Sequence, residues 1–225
     1  DLEKNISIKS TKSNDNALLI YTSGTTGKPK GVVHTHNSLI HGGLNTQLAH
    51  ELTSNDKTLC ILPLYHINAQ VVSVMSSIVS GSGIVLPERF KISEFWSNIV
   101  DEKCTWFSAV PTIFSYLMNA ELNNKLKDEL KHLRFGRSAS APLPPALHKA
   151  FQDRFGISIV ETIGITETAA PLLSNPLNPK LHKLGSTGIA YGNEVRVANK
   201  KGEIAKVGEE NEIQVKGQNV MKEYL

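Results

Sequence analysis

The residues best suited to chemistry lie together at positions 22–31: Thr22-Ser23-Gly24-Thr25-Thr26-Gly27-Lys28-Pro29-Lys30-Gly31. Four hydroxyls, three glycines and two lysines fall in this one stretch. Glycine permits backbone conformations and close approaches that a side chain would block. Hydroxyls, backbone N–H groups and a lysine are the donors that embrace a phosphate. The spacing is not that of the common phosphate loop, which needs Gly-Lys-Ser/Thr four residues after a glycine; Thr22 stands at the first position and Pro29 follows Lys28. The alternating glycines of a dinucleotide site are absent as well. By composition alone, the stretch reads equally as a Gly/Ser/Thr-rich surface turn.

Other reactive residues are weaker signals. Thr166-Glu167, taken alone, is a helix cap or an exposed turn. His34, His36 and His41 have no thiol or carboxylate at metal-site spacing, so a zinc site is not expected. No Ser-His-Asp arrangement competes. Cys60 and Cys104 each sit in a short apolar run and read as buried free thiols rather than a disulfide or redox pair. The formal net charge of +3 is a mild bias, and scattered lysines and arginines do not make a nucleic-acid surface.

These residues need elements to carry them. Residues 17–21 form a compact apolar run that reads as a buried strand feeding the glycine stretch. Residues 32–34 suit a short returning strand, and Asn37 or Ser38 a cap for a helix to about His50. Strands are expected at 59–62, 84–86, 105–110, 132–135 and 157–160. Helices are expected at 68–80, after a Ser93 cap, from Pro111 through Met118, and over 144–155. This alternation implies an α/β fold with layered, mostly parallel sheets. After about Pro179 helical periodicity stops, and 193–197, 202–205 and 212–215 read as short antiparallel strands of a small β-barrel-like unit. The expected division is an α/β core over 1–182, with subregions at about 1–55 and 56–160, and a β subdomain over 183–225. With 225 residues, 40 % of them hydrophobic, the chain can bury a sizeable core. The polar opening and the lack of a long apolar run lead to the expectation of a cytoplasmic protein without a membrane span.

Residues 21–32 resemble the phosphate loop of the adenylate-forming superfamily: acyl-CoA synthetases, amino-acid adenylation domains and luciferases. Later segments resemble that family in order. Leu62-Pro63-Leu64-Tyr65-His66 is similar to the segment beside the acyl pocket, and Arg137-Ser138-Ala139-Ser140-Ala141-Pro142-Leu143 to the small-residue turn beside adenine. Gly164-Ile165-Thr166-Glu167 resembles the family's Gly-x-Thr-Glu. Residues 184–188 resemble the family's turn leading to the small β unit, and residues 212–224 a strand and loop near the end of the large domain.

The resemblance implies ATP, magnesium and coenzyme A as reaction partners of a small-molecule carboxylic acid, which becomes an acyl-AMP and then a thioester. Thr22, Ser23, Gly24, Thr25, Thr26, Gly27 and Lys28 would cradle the β and γ phosphates, with Lys30 as a further cation. Thr166 would touch the α phosphate and Glu167 would hold magnesium. Lys28, Thr166 and Glu167 are thus the implied catalytic set. Ser138, Ala139, Ser140, Ile163 and Gly164 would border the nucleotide; Ile163 stands where the family usually has a tyrosine, an apolar cover without a π face. His66, Ser108 and Val110 would border the acid. No aspartate near His66 waits for a substrate ammonium, which favours a plain acid and a CoA ligase. The alternatives are an adenylation domain loading a carrier protein and a non-catalytic nucleotide-binding domain. The family's ribose-binding aspartate and C-terminal-domain lysine fall beyond this segment. The chain therefore reads as a fragment of the large domain, expected to be inactive without the C-terminal domain of the same protein.

Overall fold

The computed structural model describes residues 10–22, 28–120 and 126–225. Strand β1 (Asn16–Thr22) turns back as β2 (Lys30–Thr35), and the two pair antiparallel from Asn16↔Thr35 to Thr22↔Lys30. The glycine stretch thus joins two strands of a hairpin. Helix α1 (His36–His50) follows at once, capped by Thr35 rather than by Asn37 or Ser38: the Thr35 hydroxyl accepts from Ser38 N, and the Ser38 hydroxyl accepts from Thr35 N. That reciprocal pair satisfies two donors that a helix start leaves free.

Next come β3 (Lys57–Cys60), a π-helical stretch (Asn68–Met75) running into α2 (Ser76–Ser80), and β4 (Gly83–Val85). A 3₁₀ turn (Ile92–Glu94) holds Ser93 and leads into α3 (Phe95–Asp101), so Ser93 caps nothing. Then β5 (Trp106–Ala109), α4 (Pro111–Met118), α5 (Leu126–Glu129), β6 (Phe135–Ser138) and α6 (Pro145–Phe155) alternate up to β7 (Ile159–Ile165). The sixth strand lies later than the expected 132–135, and the seventh runs beyond the expected 157–160. A 3₁₀ turn (Thr166–Thr168) reverses the chain into β8 (Ala170–Ser174), and β9 (Ile189–Ala190), β10 (Glu194–Ala198), β11 (Glu212–Lys216) and β12 (Glu223–Tyr224) complete the chain.

The main sheet has the order β4-β3-β5-β6-β7-β8-β9. Its first five strands are parallel, and β8 and β9 add antiparallel. A second sheet, β1-β2-β12, lies beside it, and β10-β11 stand as a two-stranded hairpin. The architecture is mixed α/β with layered sheets and helices. The expected strand at 202–205 reduces to a single bridge, Ala198↔Ile204, because Ile204 remains exposed with no face to pack on.

Burial on both faces of the main sheet explains its apolar strands. Neighbours Trp106 and Phe107 are both fully buried, on opposite faces. Phe107 packs with Phe95, Phe114, Phe151 and Ile159 under α3, α4 and α6. Trp106 packs with Phe135, Val71, Val72 and Val160 under the π-helical stretch. Gly43 lets α1 lie against that stretch, since a Cβ there would stand 3.0 Å from Met75 backbone atoms.

His50, at the end of α1, is fully buried, its ring 5.8 Å from Trp106 and 5.2 Å from Phe135. Burial, and then the nearby Arg137 charge, push its pKa down to about 3, so the folded protein keeps it neutral. The unfolded chain takes up this proton below about pH 6.5. Stability therefore falls as pH drops from about 6.5 towards 3. Replacing His50 by Leu removes that proton uptake. The variant is expected to lose about 2 kcal/mol less stability than the parent between pH 7 and pH 5, read by urea unfolding of the full chain.

Candidate active site

The carboxyl ends of the parallel strands converge, as they do around ligand crevices in open α/β sheets. Beyond β3 come Leu62, Pro63 and His66; beyond β5, Val110; beyond β6, Ser140; beyond β7, Thr166 and Glu167. Together with Thr22 and Lys30 of the β1–β2 hairpin and Tyr224 of β12, they line a cavity of about 520 Å³. A larger cavity, about 980 Å³, is walled by Phe90, Trp96, Val100 and Tyr116 and touches none of the candidate catalytic or binding residues named from the sequence.

The turn at Thr166–Thr168 is held by its carbonyls. The Thr166 carbonyl accepts from His34 Nε2 at 2.7 Å, the Glu167 carbonyl from Met221 N at 2.7 Å, and the Thr168 carbonyl from Asn219 Nδ2 at 2.7 Å. Each donor comes from outside the β7–β8 unit. His34 is fully buried, and burial lowers its pKa, against smaller upward effects of the Thr166 carbonyl and the Glu167 charge. A neutral ring donates from Nε2 and accepts the Ser38 hydroxyl at Nδ1, 3.0 Å away. Ala169 and Ala170, just beyond, both have positive φ, 46° and 71°, and Ser140 across the cavity has φ 70°. Left-handed backbone at non-glycine residues is costly and persists only where surroundings enforce it. Gly164 is needed beside the same turn, where a Cβ would stand 2.7 Å from the Ala170 carbonyl oxygen.

With its backbone fixed, Glu167 directs its carboxylate at the cavity, where Oε1 accepts from the Tyr224 hydroxyl at 2.8 Å. That bond raises the Tyr224 pKa above its ordinary value. The Lys30 ammonium lies 5.1 Å from the Tyr224 ring centre, a cation–π contact on the opposite bank. A carboxylate, a cation and two threonine hydroxyls therefore share one opening. Among the described residues no three His, Cys, Asp or Glu side chains gather as a metal cage.

Thr22, Lys30, His66, Val110, Ser140, Gly164, Thr166 and Glu167 all line the cavity. Lys28 is exposed, while Ser23, Gly24, Thr25, Thr26 and Gly27 lie outside the described residues. Ser138 and Ala139 are buried, and Ile163 is half-buried on β7, facing Leu173 of β8 across the strands. Ser108 is buried below the cavity and bonds Asn68 and Arg137. Sequence reasoning assigned no role to His34, Asn68, Tyr224 or Asn219. Their signal was weak, since each matters through a partner far along the chain: 132 positions separate His34 from Thr166 and 57 separate Tyr224 from Glu167.

Fold and cavity together define an α/β protein in which threonines, a lysine and a glutamate gather in a crevice at the ends of the parallel strands. Residues 3–225 match the family described as AMP-binding enzyme, and the chain belongs to that family. It is 47 % identical over 208 residues to the sulfoacetate–CoA ligase of Cupriavidus necator, covering 92 % of this chain and 40 % of that protein. It is 36 % identical to the oxalate–CoA ligase of Arabidopsis thaliana, covering 93 % and 41 %. The structure of o-succinylbenzoate coenzyme A synthetase from Bacillus subtilis in complex with ATP and magnesium superposes with a TM-score of 0.86 at 30 % identity, over 98 % of this chain and 45 % of the other. The chain spans less than half the length of each of these relatives. No helix among the described residues is long and apolar enough to cross a membrane.

Replacing His34 by Ala removes the side-chain donor to the Thr166 carbonyl and leaves a hole. A stability loss of about 1–3 kcal/mol is expected from the hydrogen bond alone. His34→Gln, which keeps an N–H donor, should recover part of it in the same unfolding measurement.

Proposed function

We propose that this chain forms the nucleotide- and acid-binding part of an enzyme that activates a carboxylic acid with ATP and transfers the acyl group to coenzyme A. The observation that carries this reading is the meeting of Thr22 and Lys30 with Thr166 and Glu167 on one cavity. The similarity to CoA ligases, and to a synthetase structure holding ATP and magnesium, supports it.

The donor set suits a magnesium-bound triphosphate. Magnesium takes one or two carboxylates and fills its remaining positions with phosphate oxygens and water, so Glu167 suffices as the protein ligand. Bound magnesium would offset phosphate charge and help the pyrophosphate leave. Thr22, Lys28, Lys30 and residues 23–27 hold the β and γ phosphates in this reading, and the Thr166 hydroxyl bonds the α phosphate. Ser138, Ala139 and Ser140 with Ile163 and Gly164 border the adenine. The acid lies toward His66 and Val110, with Ser108 behind them.

The acid's carboxylate attacks the α phosphorus; the bond to the bridging oxygen breaks, and pyrophosphate leaves with that electron pair. The coenzyme A thiol, losing its proton, then attacks the acyl carbonyl and releases AMP. The chain supplies no nucleophile to either step. Its contribution is to place the reactants and to oppose the charge growing at phosphate. Cys60 and Cys104 are buried free thiols, which supports a reducing compartment, and we assign the enzyme to the cytoplasm.

The test is acid-dependent exchange of pyrophosphate into ATP by the full-length gene product. The panel contains sulfoacetate, oxalate, malonate and succinate alongside acetate, propionate and butyrate. At least one acid should support exchange, and coenzyme A should then yield its thioester. Glu167→Gln should lower the exchange rate by about 100-fold or more. An unchanged rate would remove Glu167 from the site, and no exchange with any acid would sink the ligase reading. Product with a phosphopantetheinyl carrier but none with coenzyme A would favour a carrier-loading domain.

A further inference from the structure

The position of Arg137 is not explained by the reaction above. It sits inside β6 and is 1 % exposed, yet no carboxylate among the described residues pairs with it. Burial pulls its pKa down to about 9, which leaves it cationic at neutral pH. A buried unpaired cation is costly and needs compensation. Its contacts are neutral: Nη1 donates to Asn68 Oδ1 at 3.0 Å and to Ser108 Oγ at 2.9 Å. Nε has no partner among the described residues.

These contacts dictate what the cavity wall presents. A guanidinium only donates, so the Asn68 amide must turn its oxygen toward Arg137. The Ser108 hydroxyl also donates to that oxygen, at 3.2 Å. The Asn68 NH₂ is thereby aimed the other way, at the cavity, where one N–H reaches Ser140 Oγ at 3.3 Å. Asn68 and Ser140 both line the opening, beside Val110. This end of the cavity therefore offers N–H and hydroxyl donors backed by a positive charge. No acidic side chain lies among the lining residues except Glu167, which is bonded to Tyr224.

We propose that this wall holds a second anionic group of the substrate, so that the enzyme takes small acids bearing two anionic oxygen groups, a carboxylate to be activated and a further carboxylate or sulfonate. Asn68 and Ser140 touch the second group, and Arg137 is a positioning residue that fixes the Asn68 amide and supplies the charge. A monocarboxylate of the same size leaves the donors facing a methyl group, the kind of mismatch that discriminates strongly. The inference rests on the acid-activating reading of the cavity.

The experiment compares kcat/KM of acids matched in carbon number, malonate against propionate and succinate against butyrate, with sulfoacetate and oxalate as further dianions, in the full-length protein. The readout is the dianion-to-monoanion ratio. The parent should favour a dianion, and Arg137→Met should cut the ratio about 10- to 100-fold, chiefly through the dianion KM. Asn68→Asp serves as a variant that keeps the fold, because the new carboxylate pairs with Arg137; it cancels the charge and removes the N–H donors, so the ratio should fall in the same way. A parent that prefers monocarboxylates, or a ratio unchanged in both variants, overturns the proposal. Calorimetric binding of the same acids separates the two readings. Dianion binding that weakens in both variants, without pyrophosphate exchange, supports the subsite and sinks the ligase. Exchange without dianion preference sinks the subsite and leaves the ligase. Neither binding nor exchange overturns both.

Discussion

Three carbonyls in succession, those of Thr166, Glu167 and Thr168, each take a hydrogen bond from a donor in another part of the chain. One donor is a buried histidine of the small sheet, and two come from the segment that precedes β12. Since a buried carbonyl left unpaired costs about as much as a hydrogen bond, the turn cannot shift without breaking contacts to both. The β7–β8 reversal, with its two left-handed alanines, is held in place by this anchoring. The direction of the Glu167 side chain follows from it. The same bonds tie the β1-β2-β12 sheet to the main sheet, so the hairpin that carries Thr22 and Lys30 and the turn that carries Glu167 face each other across a fixed opening.

The cavity wall opposite this turn depends on a different balance. Arg137 brings a charge into a strand whose Phe135 packs with Trp106 of the neighbouring β5, where hydrophobic packing would be the cheaper solution. Hydrogen bonds to Asn68 and Ser108 offset part of the cost. The cation also contributes to keeping His50 neutral. Polar groups thus run from the end of α1 through β6 to the first turn of the π-helical stretch. A π-helical turn is uncommon and is frequently found at functional sites. Here its first residue, Asn68, is the one that reaches the cavity.

Much of this was legible in the sequence, for identifiable reasons. The apolar run ending at Tyr21 and Pro111 at a helix start are local signals, and local signals set local structure; the run forms β1 but not the buried strand expected, since only Ile20 is buried while Leu19 and Tyr21 are exposed. The parallel strands were readable because both their faces are buried. The sequence was misleading where tertiary contacts overrode local pattern. Arg137 disguised β6, since a charge argues against a strand interior, and the expected strand was displaced toward His132. Pro171 concealed β8, because proline is unusual inside a sheet. Strand β12 is two residues long and exists only because Val33 and Val32 offer it an edge. Thr35 rather than Asn37 caps α1, a difference of position that hydroxyl content alone could not resolve. The contact between Tyr224 and Glu167 joins segments with no periodic relation, so no spacing rule could find it.

We propose that the anchored turn aims Glu167 at a metal-bound triphosphate entering between it and Lys30. A crystal structure of the full-length protein with ATP and Mn2+, collected for anomalous scattering, tests this most directly. The account predicts one anomalous peak in the cavity, bonded to phosphate oxygen and to the Glu167 carboxylate either directly or through one water. The carbonyls of Thr166, Glu167 and Thr168 should keep their donors from His34, Met221 and Asn219. A metal held by phosphate with Glu167 turned away, or nucleotide bound outside this cavity, would contradict it.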